Sequence, residues 1–211
     1  MNFFPANVTL PEATALQKQF AEQILLDDLI PVLPKKIGGV MTYCRGEQLL
    51  ASAAILDKDG KVLKKSILKE KISFPEVPTF EGFRMGRATV QLIDKLETPD
   101  FLFVFGHGIN HPRRCGFASH IGLALDLPTI AVARDTLCGK VTSSDSKKLV
   151  WDEDDLVAEV IKMGKVPLYV SPGHKITLDT AVTLVKKMTT QALPEPLMVA
   201  QKELLSKIQG K

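Results

Sequence analysis

The stretch Phe101–Arg114, FLFVFGHGINHPRR, passes from five apolar residues straight into glycines, histidines, an asparagine and arginines. A run that is apolar on both faces marks a central parallel strand, covered by helices above and below. The abrupt polar change that follows is how a buried strand delivers its end to a site. Phe101–Phe105 is therefore predicted as a strand, and Gly106–Arg114 as the loop at its carboxyl end.

The surrounding sequence agrees with a sheet of this kind. Downstream, CGFASHIGLALDLPTIAVARD (115–135) predicts a helix and then a short strand at Thr129–Ala133. Upstream, EGFRMGRATVQLIDKL (81–96) predicts a helix that stops before Thr98-Pro99. SFPEVPTF (73–80) holds Pro75 and Pro78 and is read as loop. Residues 36–72 predict a three-stranded meander with turns at Arg45-Gly46 and Asp57–Gly60. LVAEVIKM and VPLYVS (156–163 and 166–171) read as a strand pair, and ITLDTAVTLVKKM (176–188) as a helix. The runs SSDSKK (143–148) and WDEDD (151–155) read as solvated surface. At the ends, Thr9, Pro11 and the spacing of Leu16, Phe20 and Ile24 predict a capped helix over about 10–30. A last amphipathic helix is predicted over about 197–208. A meander, a helix, then strands alternating with helices is the order of the ribonuclease-H-like fold, an α/β architecture with a central mixed sheet flanked by helices. Sites in open sheets lie at the carboxyl ends of neighbouring strands. Met41, Phe105 and the loop after Tyr169 are thus expected near one another.

The 211 residues, 45% hydrophobic and 24% charged, suit one domain over 1–211 with a sizeable core. A formal charge of +3 permits contact with nucleic acid without demanding it. Cys44, Cys115 and Cys138 share no CxxC spacing, so neither a disulfide framework nor a zinc site is expected. The N-terminal segment lacks a basic region followed by a long apolar core, and no run reaches membrane-span length. A soluble, cytoplasmic protein without membrane partners is expected.

The block FGHGINHPRRCGFASHIGLALDLPTIAVA (105–133), with LCGK (137–140) and SPGHKITLDTAV (171–182), resembles the endonuclease V family. KIGGV, PEVPTFEGFR and LPEP fall in the family's order, so the resemblance runs from about Ile37 to Pro196. It implies divalent-metal cleavage of nucleic acid near inosine, in DNA repair or RNA metabolism. It also implies a basic groove for the strand and a wedge loop, here Pro75, Glu76, Val77 and Pro78.

The implied metal ligands are missing. The family's three carboxylate positions read Met41, Met85 and Phe105. No oxygen ligand for Mg²⁺ or Mn²⁺ remains there, so no metal cofactor and no catalytic residue is expected. Two thioethers and a phenyl ring are expected to fill the vacated centre as a small apolar cluster. Retained neighbours are His174, expected to pair with Asp179, and Arg134 in place of a lysine. The wedge tyrosine is Glu76, the following glycine is Thr79, and an apolar position is Glu81. Candidate nucleic-acid-binding residues are Gly106, Gly108, His111, Arg113, Arg114, His120, Arg134 and Lys140. The plainer reading is that His107 and His111 hold the loop's backbone and that the arginines brace the fold. A soft-metal site of Met41, Met85, Cys44 and His174 is disfavoured, because Cys44, three residues along the strand from Met41, points to the opposite face. The leading expectation is an inactive family member that binds single-stranded or inosine-type RNA or DNA. The alternatives are a protein-interaction or self-associating surface, and a residual metal-dependent endonuclease.

Overall fold

The computed structural model describes residues 2–144 and 147–210. Helix α1 (Leu10–Ala21) begins at Thr9, whose side chain accepts from the Glu12 backbone while Glu12 reaches back to the Thr9 N–H. It stops at Ala21, short of residue 30. The cause lies far away in the chain: Asp28 accepts from the Thr177 N–H at 2.8 Å and from the Thr180 hydroxyl at 2.7 Å. Reaching that second helix end requires the chain to leave helical geometry after α1.

Strands β1 (Lys36–Arg45), β2 (Gln48–Asp57) and β3 (Val62–Lys71) form the expected meander. Helix α2 (Glu81–Leu96), strand β4 (Phe101–Phe105), helix α3 (Phe117–Leu125) and strand β5 (Thr129–Ala133) follow as read. Strands β6 (Lys140–Ser144) and β7 (Lys147–Asp152) form a hairpin where the sequence suggested only solvated runs. The run SSDSKK includes residues 145 and 146, which lie outside the described residues; its flanks are strand. WDEDD supplies the end of β7 and the turn into β8. The hairpin escaped the pattern because β6 is exposed throughout, so no apolar alternation marks it. Strands β8 (Asp155–Ile161) and β9 (Leu168–His174) pair antiparallel, then come α4 (Leu178–Met188) and α5 (Glu195–Ile208). Helix α5 starts slightly earlier than expected, with Pro196 in its first turn.

The described strands form one mixed sheet in the order β3-β2-β1-β4-β5-β9-β8-β7-β6. Its centre is parallel, β1 with β4 and β4 with β5, and the remaining pairings are antiparallel. One face carries α2 and α3 over Val40, Leu92, Leu102, Val104 and Ile121. The other carries α4 and α5 over Ile37, Phe101, Phe103, Val185 and Leu197. Phe101 and Phe103 meet edge to face at 5.4 Å. Helix α5 lies so close to β1 that a Cβ on Gly39 would stand 2.3 Å from the Pro196 carbonyl carbon. No helix among the described residues is long and apolar enough to cross a membrane.

The register sets up the site. Val40 pairs with Val104, which makes Met41 and Phe105 the next neighbours along two parallel strands. Phe105 pairs with Val132, and Val132 with Val170. Because β9 runs antiparallel to β5, its start at Leu168–Tyr169 reaches the carboxyl end of β4. The loop after β9 leaves at the opposite end, contrary to expectation. His174 pairs with Thr129, three residues back along β5 from Val132. At 3.3 Å per residue it is displaced by about 10 Å from Phe105 along the strand direction.

Candidate functional site

Met41 is 5% exposed and Phe105 half-buried, and both join the packing group beneath α4 and α5. Met85 does not join them. It is half-buried on the α2 face, packed with Leu49, Leu68, Ile72 and Ala88. The expected single plug is therefore two separate apolar fillings. Strand parity directs Met41 and Phe105 to one face, while Met85 stands on a helix that covers the other. Thioether and phenyl groups offer no oxygen to a hard divalent cation, which takes carboxylates, carbonyls and water. Among the described residues no group of three or more His, Cys, Asp or Glu converges on a point. The side chains at these three positions do not fit Mg²⁺ or Mn²⁺.

The GHG loop after β4 is bound down on β9. The Gly108 N–H donates to Ser171 Oγ at 3.1 Å and the Ile109 N–H to the Pro172 carbonyl at 2.9 Å. A Cβ at Gly108 would lie 1.9 Å from that same carbonyl oxygen, so only glycine allows this approach. His111 is completely buried. Its Nε2 donates to the Thr79 carbonyl at 2.9 Å, and its Nδ1 accepts from the Arg113 N–H at 3.1 Å. Burial pushes its pKa down to about 4, so the ring is neutral. His107 Nε2 sits 3.2 Å from the Asp135 carbonyl. The plainer reading of these histidines as loop holders is the one the geometry carries.

The arginines are also engaged. Arg113 donates to Gln17 Oε1 at 2.6 Å, to Thr79 Oγ1 at 2.6 Å and to the Thr79 carbonyl at 3.1 Å, with its guanidinium over the Phe80 ring. Arg114 pairs with Asp152 at 2.6 Å and Asp155 at 3.0 Å. Both were expected to face nucleic acid; both instead tie the GHG loop to α1, the wedge loop and the β7–β8 turn. His120 is a further correction. It is fully buried among Phe3, Phe4, Phe20 and Phe83, stacked on Phe4, with Nε2 donating to the Phe3 carbonyl at 2.8 Å. His174 does not pair with Asp179. Its Nδ1 accepts from the Leu25 N–H at 3.3 Å and its Nε2 lies 4.0 Å from Asp126, while the Asp179 side chain is 91% exposed, 3.8 Å from Lys147.

The wedge loop converges on Thr79. Its carbonyl accepts from Gln17, His111 and Arg113, and its φ of +72° is left-handed, unusual for a β-branched residue. Glu81 accepts from the Thr79 N–H at 3.2 Å, and Glu76 stands 3.5 Å from Arg84. Pro75 and Pro78 are exposed and Val77 packs beside Phe80. Gln17, buried on α1 and central to this junction, escaped the sequence reading; a glutamine on an apolar helix face was the available signal. Arg113→Ala should lower unfolding stability by about 3 kcal/mol, because it strips charge-assisted bonds and takes from Gln17 Oε1 and Thr79 Oγ1 the donor they face. Arg113→Lys should recover less than half, lacking the planar fork. Urea titrations check this; a loss below about 0.5 kcal/mol would remove the bracing role.

Of the residues expected to meet nucleic acid, Arg134, half-buried like Arg113 and Arg114, and Lys140 have no carboxylate partner among the described residues. Arg134 donates to the Val166 carbonyl at 3.4 Å, in the β8–β9 turn that also bears exposed Lys162 and Lys165. Lys140 is exposed on β6.

The family model for Endonuclease V matches residues 18–202. Endonuclease V of Ignicoccus hospitalis is 34% identical over 192 residues, covering 90% of this chain and 91% of that one. The crystal structure of Endonuclease V from Streptomyces avermitilis matches with a TM-score of 0.87 at 27% identity, covering 98% of this chain and 97% of the other. Ciona intestinalis Endonuclease V, in complex with a 24mer DNA containing an inosine followed by a ribo-adenosine, gives a TM-score of 0.82 at 23% identity, over 95% and 98% of the two chains. At that identity the likeness concerns the fold.

Proposed function

Since this chain belongs to the endonuclease V family yet carries Met41, Met85 and Phe105 at its three metal-ligand positions, we propose that it binds single-stranded or inosine-bearing nucleic acid without cutting it. The observation that carries the reading is chemical. Metal-assisted cleavage needs oxygen ligands that hold a cation against the attacking and leaving oxygens, and these side chains supply none. Binding is supported by the Ciona relative's inosine-containing DNA complex and by cations at the sheet's carboxyl end, exposed Lys162 and Lys165 with half-buried Arg134 beside them.

The test is an incubation of labelled inosine-containing single-stranded RNA and DNA with the purified protein in Mg²⁺ or Mn²⁺. The expected outcome is a retarded complex and no product above a mock preparation. Affinity should fall steeply with salt as counterions are released. Strand scission that tracks the protein through purification would overturn the inactive reading.

One observation favours a protein-contact role. Met41 is too buried to offer a sticky patch, but Leu29, Val32 and Leu33 are 52%, 96% and 81% exposed in the α1–β1 connection. Salt-insensitive self-association, with no retention of nucleic acid at physiological salt, would favour that role over the first.

A further inference from the structure

On the α5 face of the sheet, two residues beyond Met41, lies a cavity of about 200 Å³ lined by Tyr43, Arg45, Gln48, Leu50, Lys69, Lys207 and Ile208. Sheet register assembles it. Tyr43 pairs with Leu50 and Leu50 with Lys69, giving one cross-strand row, and Arg45 pairs with Gln48 in the next. Tyr43 and Arg45 share strand parity with Met41, so all three point to the same face. Lys207 and Ile208 close the cavity from the end of α5.

The charge balance of this cavity is unusual. Three cations line it and no carboxylate does. Other lysines nearby are neutralised: Lys71 pairs with Glu47 at 3.1 Å and Lys65 with Glu203 at 2.7 Å. Arg45, Lys69 and Lys207 pair with no carboxylate among the described residues. Gathering like charges without counterions opposes folding, and an anionic ligand offsets that cost. Tyr43, 40% exposed, adds a ring face and a phenolic hydroxyl beside the cations. A cationic groove with an aromatic platform is the arrangement by which single strands are held independently of sequence. The cavity is too small for a whole nucleotide but admits a phosphate with the ring stacked outside it.

We infer that Arg45, Lys69 and Lys207 hold the phosphodiester backbone of a single strand beside the metal-less centre, with a base stacked on Tyr43. The inference rests on the nucleic-acid-binding reading and names the surface responsible. It makes this face, rather than the GHG loop arginines, the principal grip.

The experiment measures anisotropy of a labelled 20-nucleotide single-stranded RNA across a salt series. It compares the parent protein, a site triple (Arg45→Gln, Lys69→Gln, Lys207→Gln), Tyr43→Leu, and a control triple (Lys61→Gln, Lys95→Gln, Lys187→Gln). Each single-strand phosphate contact contributes about 0.7 to the slope of log affinity against log salt, so the site triple should flatten it by about 2 and weaken binding by at least about tenfold. Tyr43→Leu should weaken binding about tenfold with the slope unchanged. The control triple should stay within about threefold of the parent, and the site triple should melt no lower than the parent. If the parent binds with a steep salt slope and the site triple merely tracks the control, the inference is wrong and the nucleic-acid reading stands. If the parent shows no salt-sensitive binding, both fall together.

Discussion

Lowering the pH from 7 to 4 should unfold this protein over a window set by its histidines. His111 and His120 are completely buried, and burial pushes both down to about 4 from an unfolded value near 6.5. His174, 3% exposed, is pushed the same way by burial and then by the neighbouring Lys175. The unfolded chain takes up these protons first. The stability contributed by neutral, buried rings is thus fully present above about pH 6.5 and is lost as pH falls toward 4. Each tenfold difference in proton affinity between the folded and unfolded chain is worth about 1.4 kcal/mol, so His111 and His120 each forfeit about 3 kcal/mol across that window. Against a total of about 5–15 kcal/mol, this is enough to unfold many domains. Carboxylates add to the loss only at the lower end of this window: Lys36 and Lys64 hold Glu97 down to about 2, so its contribution begins to fade below about pH 4.5. Urea denaturation at pH 7, 5.5 and 4 measures the effect. His120→Phe keeps a ring stacked against Phe4 and removes the titrating nitrogen, so its stability should fall less by about 3 kcal/mol over the same range. A variant as acid-sensitive as the parent would exclude His120 as a source.

Placing acids at positions 41, 85 and 105 should make the stability of the protein depend on a divalent cation. Met41→Asp places a carboxylate at a position only 5% exposed, in the same apolar group as Ile67 and beside Phe105→Asp. With Met85→Glu added, the metal-free triple variant should lose about 3–5 kcal/mol, as uncompensated buried charge does. A divalent cation at about 100 times its dissociation constant should return about 2.7 kcal/mol. The parent's unfolding midpoint should not move with Mg²⁺ or Mn²⁺. A midpoint that rises in the parent would contradict the reading of these positions as metal-less. A folded triple variant that ignores both cations would show that residues 41, 85 and 105 do not converge as a ligand set; the separate packing of Met85 makes Met41→Asp with Phe105→Asp the informative intermediate.

Much of the fold was legible because each central element is locally consistent. Phe101–Phe105 and Thr129–Ala133 are short apolar runs bounded by glycine, proline or polar residues, and the structure makes strands of both. Glu81–Leu96 carries helical periodicity between a proline-rich loop and Thr98-Pro99, and forms one helix. The β6–β7 hairpin was not legible, since water on both sides of β6 leaves no pattern to read. Nor was the early end of α1, which depends on Asp28 capping a helix 149 residues further on. The site divides in the same way. GHGINHPRR was recognisable as a polar loop at a strand's end. Whether its cations faced solvent or protein was not, because the partner of Arg113 lies 96 residues away and that of Arg114 lies 38.

By itself the sequence determined the kinship, the order of the central elements and the chemistry at positions 41, 85 and 105. A thioether or a phenyl ring offers a hard cation no oxygen in any fold. Only the tertiary structure decided direction and partnership: that His174 stands at the far end of β9, that Arg113 and Arg114 are braces, and that Arg45, Lys69 and Lys207 share one cavity. Side-chain chemistry is a property of the residue, whereas which face it points to and what charge it meets depend on strand register and on contacts between segments distant in the chain.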